Sequence, residues 1–371
     1  MMELLTQRTL NVEIVKSPVP TTKYTPRDRK VWLSIVVAIV LVLLLNMAVS
    51  IVVEHGDPTW RDPEFGLRWK AFCKQREAST PRPFVAILGS SRTAQGLRPD
   101  VIDDSTQPLV FNFSQSGGGP ICQAMILNRL QQLGAAPDAL VLEYWPPLFR
   151  GDGTHHEQHR TDSKRLLTMD EPIVRSYFQF PDAAWDGRHG DSRWSLSSYR
   201  RLLLSRCWPD GIPHNERTDG LWMDLDAFGW WPGRITATPE QIAAGWWTVE
   251  QFYRPLYTGY QVNEQHDAAF RSVLQWAKTH DVPVLVVQLP ESERFQQFKN
   301  SEADAVAKEH LESLRQDFAF PFVDARTWIA NEHLPDGFHL TQAGATEFTR
   351  RFHRETLAAW FCNVQQKHSC R

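Results

Sequence analysis

Two stretches of this sequence carry side chains whose types and order could do acyl chemistry. In the first, the apolar run 84–88 ends in Gly89, Ser90, Ser91, Arg92 and Thr93, a small-residue turn that delivers a hydroxyl to the end of an expected strand. A helix starting there would aim its free amides and positive dipole end at an oxyanion beside Ser91. Read alone, Ser90 or Ser91 is equally well the cap of that helix. In the second stretch Asp336 and His339 share one loop, just before a helix expected to be capped by Thr341. A serine hydroxyl is inert until an imidazole takes its proton, and a carboxylate fixes the tautomer of that imidazole and stabilises its charged form. A weaker third signal is Gly117, Gly118 and Gly119 before Pro120, whose bare backbone amides could complete an oxyanion hole or simply turn the chain into a helix.

These residues need a scaffold, and the pattern around them supplies one. Short apolar runs at 84–88, 109–113, 139–143, 284–289 and 320–324 alternate with stretches of helical periodicity at 121–133, 264–279, 302–317 and 341–360. That alternation predicts an α/β fold: a parallel five-stranded sheet with helices on both faces, a flavodoxin-like three-layer domain whose functional groups gather at the carboxyl ends of the strands. The interval between the third and fourth strands is far longer than an ordinary crossover, so 148–262 is expected to be an insertion. Eight of the fifteen tryptophans fall in 183–247, where they could form the core of a loop-rich subdomain or a platform for sugar rings.

Residues 31–53 form a run of 23 residues without a charge. As a helix the run would reach about 35 Å, enough to cross the hydrocarbon of a bilayer. Arg27, Arg29 and Lys30 precede it and Glu54, Asp57, Asp62 and Glu64 follow it, so the basic side is expected to stay in the cytoplasm. The expected organisation is a cytoplasmic tail (1–30), a transmembrane anchor (31–53), a linker (54–83), a catalytic domain (84–361) holding the insertion, and a carboxyl-terminal tail (362–371). Beyond the amino-terminal tail the chain has 34 basic and 40 acidic side chains, which does not suggest a nucleic-acid partner. All five cysteines (Cys73, Cys122, Cys207, Cys362 and Cys370) follow the anchor, and at least one must lack an intramolecular partner. Cys362 and Cys370 are close enough in sequence to staple the tail, a spacing that fixes no geometry.

The order of the blocks resembles the SGNH/GDSL hydrolase superfamily, which carries its nucleophile after the first strand and a DxxH motif before the last helix. The resemblance covers roughly 84–147 and 282–360. It implies a Ser91, Asp336 and His339 triad, an oxyanion hole from Ser91 with Gly117 or Gly118, and a substrate site including Arg92, Glu143, Tyr144 and Trp145. The chain departs from the family pattern twice: Ser90 stands where Asp is usual, and Glu143, Tyr144 and Trp145 follow the third strand where GxND, with its oxyanion Asn, is usual. With the anchor, these departures look more like the membrane-anchored envelope branch, which includes alginate O-acetylation proteins and the D-alanyl transfer protein of teichoic acid synthesis. That branch implies transfer or hydrolysis of an acyl group, acetyl above all, on an envelope polysaccharide or glycolipid outside the cytoplasmic membrane, often with a membrane-bound O-acyltransferase partner. The rival readings are a simple carboxylesterase and a non-catalytic membrane-tethered scaffold or glycan-binding module.

Other motifs weigh little. Gly190, Asp191 and Ser192 spell the GDS signature but lack a strand to aim it. His155, His156 and His159 with Asp152 could bind a metal, yet His156 stands where a zinc-protease motif needs Glu, so no metal is expected. No phosphate loop or dinucleotide fingerprint stands at a strand end, and no cofactor is expected.

Overall fold

A computed structural model describes residues 26–78, 82–150, 157, 163–188, 194–233 and 239–369. The chain divides into two units, Met1–Ala48 and Val49–Arg371. Helix α1 (Pro26–His55) supplies all that is described of the first unit and the opening turns of the second. Over Arg29–His55 it is long and apolar enough to cross a membrane.

The second unit is built on five parallel strands: β1 (Phe84–Leu88), β2 (Leu109–Asn112), β3 (Ala139–Glu143), β4 (Val284–Gln288) and β5 (Phe322–Asp324). Their order is β2-β1-β3-β4-β5. Strand order reverses between β1 and β3, so the crevice above their carboxyl ends is where such a sheet presents functional groups. Along each strand side chains alternate between faces. Phe84, Ala86, Leu88, Leu140, Leu142 and Val286 enter one core with residues of α2 (Pro63–Ala78), α4 (Pro120–Gln132), α7 (Glu264–Thr279) and α8 (Ser301–Phe318). Val85, Ile87, Val141, Leu285 and Val287 enter the other, with Phe348 and Phe352 of α9 (Gln342–Phe352) and Phe361 and Val364 of α10 (Ala358–Ser369). Between β1 and β2 lies the short α3 (Ser91–Gly96).

The region expected to be a linker is in part a core element. Helix α2 puts Phe65 and Phe72 into the first core, with the Phe72 ring 4.4 Å from that of Phe84. Its charged residues obscure this in the sequence, but the buried ones, Glu64 and Arg68, are paired internally. Arg68 is buried, bonds the Glu64 carboxylate at 3.1 Å and donates to the Gly229 carbonyl at 3.0 Å. Just before α2, Asp62 takes Arg129 and Arg165 at 2.7 Å each. Burial alone would raise the Asp62 carboxyl, but the two guanidinium groups outweigh it and hold it at about 2. A depressed folded value stabilises the protein above the ordinary carboxylate range and ceases to do so as pH falls through it. Asp62 is therefore expected to contribute roughly 2 kcal/mol near neutrality, lost between about pH 4 and 2. The gap in denaturant midpoint between wild type and Asp62→Asn should narrow over that window, and a constant gap would refute the assignment.

The long insertion closes on itself at an antiparallel bridge between Arg150 and Val262, beside a bond from the Asn263 amide to the Phe149 carbonyl at 2.7 Å. Its described parts include short helices such as α5 (Arg200–Cys207), turns, and the 15-residue α6 (Pro239–Tyr253). Its tryptophans serve different ends: Trp222 and Trp230 are buried, whereas Trp194, Trp208 and Trp247 are exposed.

Candidate active site

Ser91 is the first residue of α3, and the preceding Ser90 is its cap, accepting the Arg92 amide at 3.1 Å. The two serines thus divide the readings left open by the sequence. Ser91 Oγ lies 2.8 Å from His339 Nε2, and His339 Nδ1 lies 2.6 Å from Asp336 Oδ2. The other Asp336 oxygen accepts the amides of His339 at 2.9 Å and Phe338 at 3.2 Å. Gly337, at φ +94°, makes the turn that allows one carboxylate to hold both the backbone and the ring. Thr341 caps α9 by accepting the Gly344 amide at 3.2 Å.

Burial tends to raise the Asp336 carboxyl, but the facing His339 and the two amide donors prevail and hold it below the usual carboxylate range. An ionised Asp336 only accepts, so His339 donates from Nδ1 and presents the bare Nε2 lone pair to the Ser91 hydroxyl. That is the tautomer a proton acceptor needs.

The oxyanion side is narrower than expected. Several amides of the loop after β2 are already taken: Ser116 donates to Glu64 at 2.8 Å, Gly118 to the Gln115 carbonyl at 2.9 Å, and Gly119 and Ile121 to the buried Glu157 at 2.6 and 2.8 Å. Among the described residues the amides of Ser91 and Gly117 have no such acceptor. Gly118 contributes in another way. A Cβ there would come within 2.9 Å of the Gly89 carbonyl, so its bareness lets the loop lie across the turn at 89–91. The expectation for Gly118 as an oxyanion donor is therefore corrected.

The four residues expected to line the substrate site are buried, with relative exposures of 1–2%. Glu143 points back under the turn at 89–91, accepting the Ser90 amide and the Thr93 hydroxyl at 2.6 Å each. Arg92 runs beneath the triad. It donates to the carbonyls of Leu289 at 3.0 Å, Pro290 at 3.1 Å and Phe338 at 3.4 Å, lies 3.5 Å from Glu143 and 3.6 Å from Glu291, and stacks over Trp145 at 4.3 Å. Trp145 donates to Glu291 at 2.8 Å and packs 5.5 Å from the Phe338 ring. Tyr144 turns to the opposite side, into the core, where its hydroxyl bonds the Ala307 carbonyl at 2.9 Å. Consecutive residues leaving a strand end face opposite ways, so no more than alternate ones could have met a substrate. These residues hold the site together.

Sequence reasoning missed two contributors. Asn112, at the end of β2, donates to the carbonyls of Thr93 at 2.9 Å and Leu97 at 2.8 Å and so fixes the far end of α3. An Asn closing an otherwise apolar strand was the available signal. The second is a cavity of about 500 Å³ against Asp336 and His339, lined by Gln95 of α3 and by His214, Asp224, Trp231 and Ile242 of the insertion. Nothing in the spacing of these residues announces that they meet.

His155, His156, His159, Asp152 and the Gly190, Asp191, Ser192 string lie outside the described residues, as does Cys370. The other four cysteines are free thiols. Among the described residues no group of three His, Cys, Asp or Glu side chains is arranged to hold a metal.

No family model and no curated protein matches the sequence. Solved structures with which it shares some likeness include a GDSL-like lipase from Bacteroides thetaiotaomicron, at 10% identity and a TM-score of 0.34 over 78% of this chain and 98% of that one. An acetylxylan esterase from Geobacillus stearothermophilus gives 11% identity and a TM-score of 0.31 over 75% and 94%. A lipase/acylhydrolase from Enterococcus faecalis gives 10% and 0.28 over 73% and 95%. Likeness at this level carries no weight, and the fold rests on the chain's own strand order: an α/β protein with a parallel five-stranded sheet and a serine, a histidine and an aspartate in line above its switch point.

Proposed function

We propose that this chain is a serine-dependent acyl-ester hydrolase or O-acyltransferase. The observation that carries the reading is the continuous line from Ser91 Oγ through the His339 ring to Asp336, with contacts of 2.8 and 2.6 Å. His339 Nε2 takes the hydroxyl proton as Ser91 Oγ attacks the ester carbonyl, and Asp336 stabilises the imidazolium that forms. The Ser91 and Gly117 amides are the donors for the developing oxyanion. Collapse of the tetrahedral intermediate releases the alcohol, which receives its proton from His339, and leaves the acyl group on Ser91. Water or an acceptor hydroxyl, deprotonated by the same imidazole, then removes it.

The acceptor side is read from the cavity beside His339, where the indole of Trp231 and the polar groups of Gln95, His214 and Asp224 would suit a sugar ring and its hydroxyls. On this reading the acyl group, acetyl foremost, belongs to an envelope polysaccharide or glycolipid. Helix α1 would anchor the enzyme in the cytoplasmic membrane with its catalytic unit outside, within reach of a membrane-bound acyltransferase that loads Ser91. An ordered triad is unnecessary in a mere scaffold.

The test is covalent labelling of the full chain in detergent with a fluorophosphonate probe. A single adduct at Ser91 is expected, absent in Ser91→Ala and strongly slowed in His339→Ala. Folded protein that takes no label would refute the reading. Decay of a preformed acetyl-Ser91 in water, with and without glycan acceptors, separates a hydrolase from a transferase.

A further inference from the structure

We infer that α5 and the residues flanking it form a second membrane contact: an interfacial surface that lies in the headgroup layer of the bilayer crossed by α1. The inference rests on the reading of α1 as a membrane span.

Val53, the last residue of the apolar run of α1, is 2% exposed and packs with Tyr199 and Leu202, with Val49, Trp60 and Leu203 against the same cluster. One residue on, Glu54 accepts Arg61 at 2.7 Å and the Tyr199 hydroxyl at 2.8 Å, and it is also bonded by Arg188. Arg61 and Arg188 are both buried, and each donates to the Leu166 carbonyl, at 2.5 and 2.9 Å. On the far side Arg206 donates to the Thr59 carbonyl at 2.6 Å and lies over the Trp60 ring at 5.9 Å. Helix α5 is therefore clamped against residues 49–60 along its length.

Chain continuity then fixes depth. Val49 and Val53 belong to the apolar run itself, so a helix packed on them lies where hydrocarbon gives way to headgroups. The face of α5 turned away from this clamp is made of Arg200, Arg201, Leu204 and Cys207, continued by Trp208, and all five are exposed. Arg200, Leu204 and Trp208 follow at four-residue steps, one stripe on a helix. Leu204 is 47% exposed and Trp208 64%, and Trp194 just before the helix is 49% exposed. Large apolar side chains left in water beside guanidinium groups are costly for a soluble surface. They suit the membrane interface, where indole rings and leucines enter the acyl boundary and arginines meet phosphate. No acidic residue interrupts the stripe, and the next along the chain is Asp210. The occupant that satisfies both halves of this surface is a phospholipid layer containing anionic lipid.

Cys207 offers the probe. In the full chain with Cys73, Cys362 and Cys370 replaced by serine, an environment-sensitive fluorophore is placed on Cys207, and the protein is reconstituted in vesicles of phosphatidylcholine and phosphatidylglycerol. Nitroxide lipids labelled at the headgroup are expected to quench it, nitroxides at the acyl terminus to quench it weakly, and aqueous iodide to quench it less than it quenches the same label in urea. A companion variant, Leu43→Cys with Cys207→Ser, reports the span and is expected to be quenched by the acyl-terminal nitroxide. Cys207 open to iodide and untouched by lipid nitroxides, with position 43 deep, would overturn the docking and leave the span standing. Position 43 untouched by either nitroxide would overturn the span and the docking with it. Neither result bears on Ser91, so labelling of the triad serine stays an independent test.

Discussion

Asp336→Asn is expected to slow acylation of Ser91 by about four orders of magnitude while the protein keeps its fold. The effect turns on which nitrogen carries the proton. Both Asp336 oxygens are engaged as acceptors, one by the His339 ring and one by the His339 and Phe338 amides. An asparagine can keep the backbone bonds through its oxygen, but its amide nitrogen then faces Nδ1 and donates. The ring must accept there, the proton moves to Nε2, and the Ser91 hydroxyl at 2.8 Å loses its proton acceptor. The loss should appear in kcat and in the rate of fluorophosphonate labelling at Ser91, with little change in KM, because no part of Asp336 is asked to hold substrate. The same logic sets the acid limb. The Asp336 carboxyl is held below the ordinary range, so the aspartate itself fails only at pH values lower than a free carboxylate would. A labelling rate for Asp336→Asn within about tenfold of wild type would remove Asp336 from the mechanism.

What the sequence disclosed was what is local. Ser91 follows β1 after only Gly89 and Ser90, Asp336 and His339 share one loop, and both facts survive any error in the elements between them. Strands β1 and β3 were legible to the residue because each is an apolar run buried on both faces. Strand β5 begins later than expected, at Phe322, since Pro321 has no amide for the ladder and contributes only its carbonyl, which accepts the Val286 amide at 3.0 Å. The final helix, expected to run unbroken, widens into a π turn at His353–Leu357 before α10. What escaped was whatever depends on distant parts of the chain. Whether the Gly118 or the Gly119 amide is available depends on Gln115 and Glu157, and spacing does not reveal that competition. The cavity beside His339 joins α3 to a stretch more than a hundred residues further on. Arg92, Glu143 and Trp145 were placed at the right strand ends, yet the sequence could not say that they point inward.

That inward direction yields the prediction with the largest effect on stability. Glu143→Ala is expected to destabilise the domain by about 3–5 kcal/mol, a large share of the roughly 5–15 kcal/mol typical of such domains. The carboxylate holds the Ser90 amide and the Thr93 hydroxyl at 2.6 Å each and faces Arg92 at 3.5 Å, with all of these groups buried. Removing it strands two donors and leaves Arg92 with Glu291, at 3.6 Å, as its remaining carboxylate. Glu143→Gln keeps the shape and one acceptor oxygen, but turns an amide toward Arg92, and should cost less, about 1–3 kcal/mol. A substrate-binding Glu143 would behave in the opposite way, raising KM while the thermal midpoint stayed put. The pair can be separated from its parts: in Arg92→Met with Glu143→Leu, no uncompensated charge remains between the two positions. The double variant should therefore be less destabilised than the sum of its singles. Strict additivity in thermal unfolding would show that the two side chains do not act as one brace. If they do, Ser91 owes its position to a buried charge pair, and labelling of Ser91 should slow in each single variant at temperatures where it is still folded.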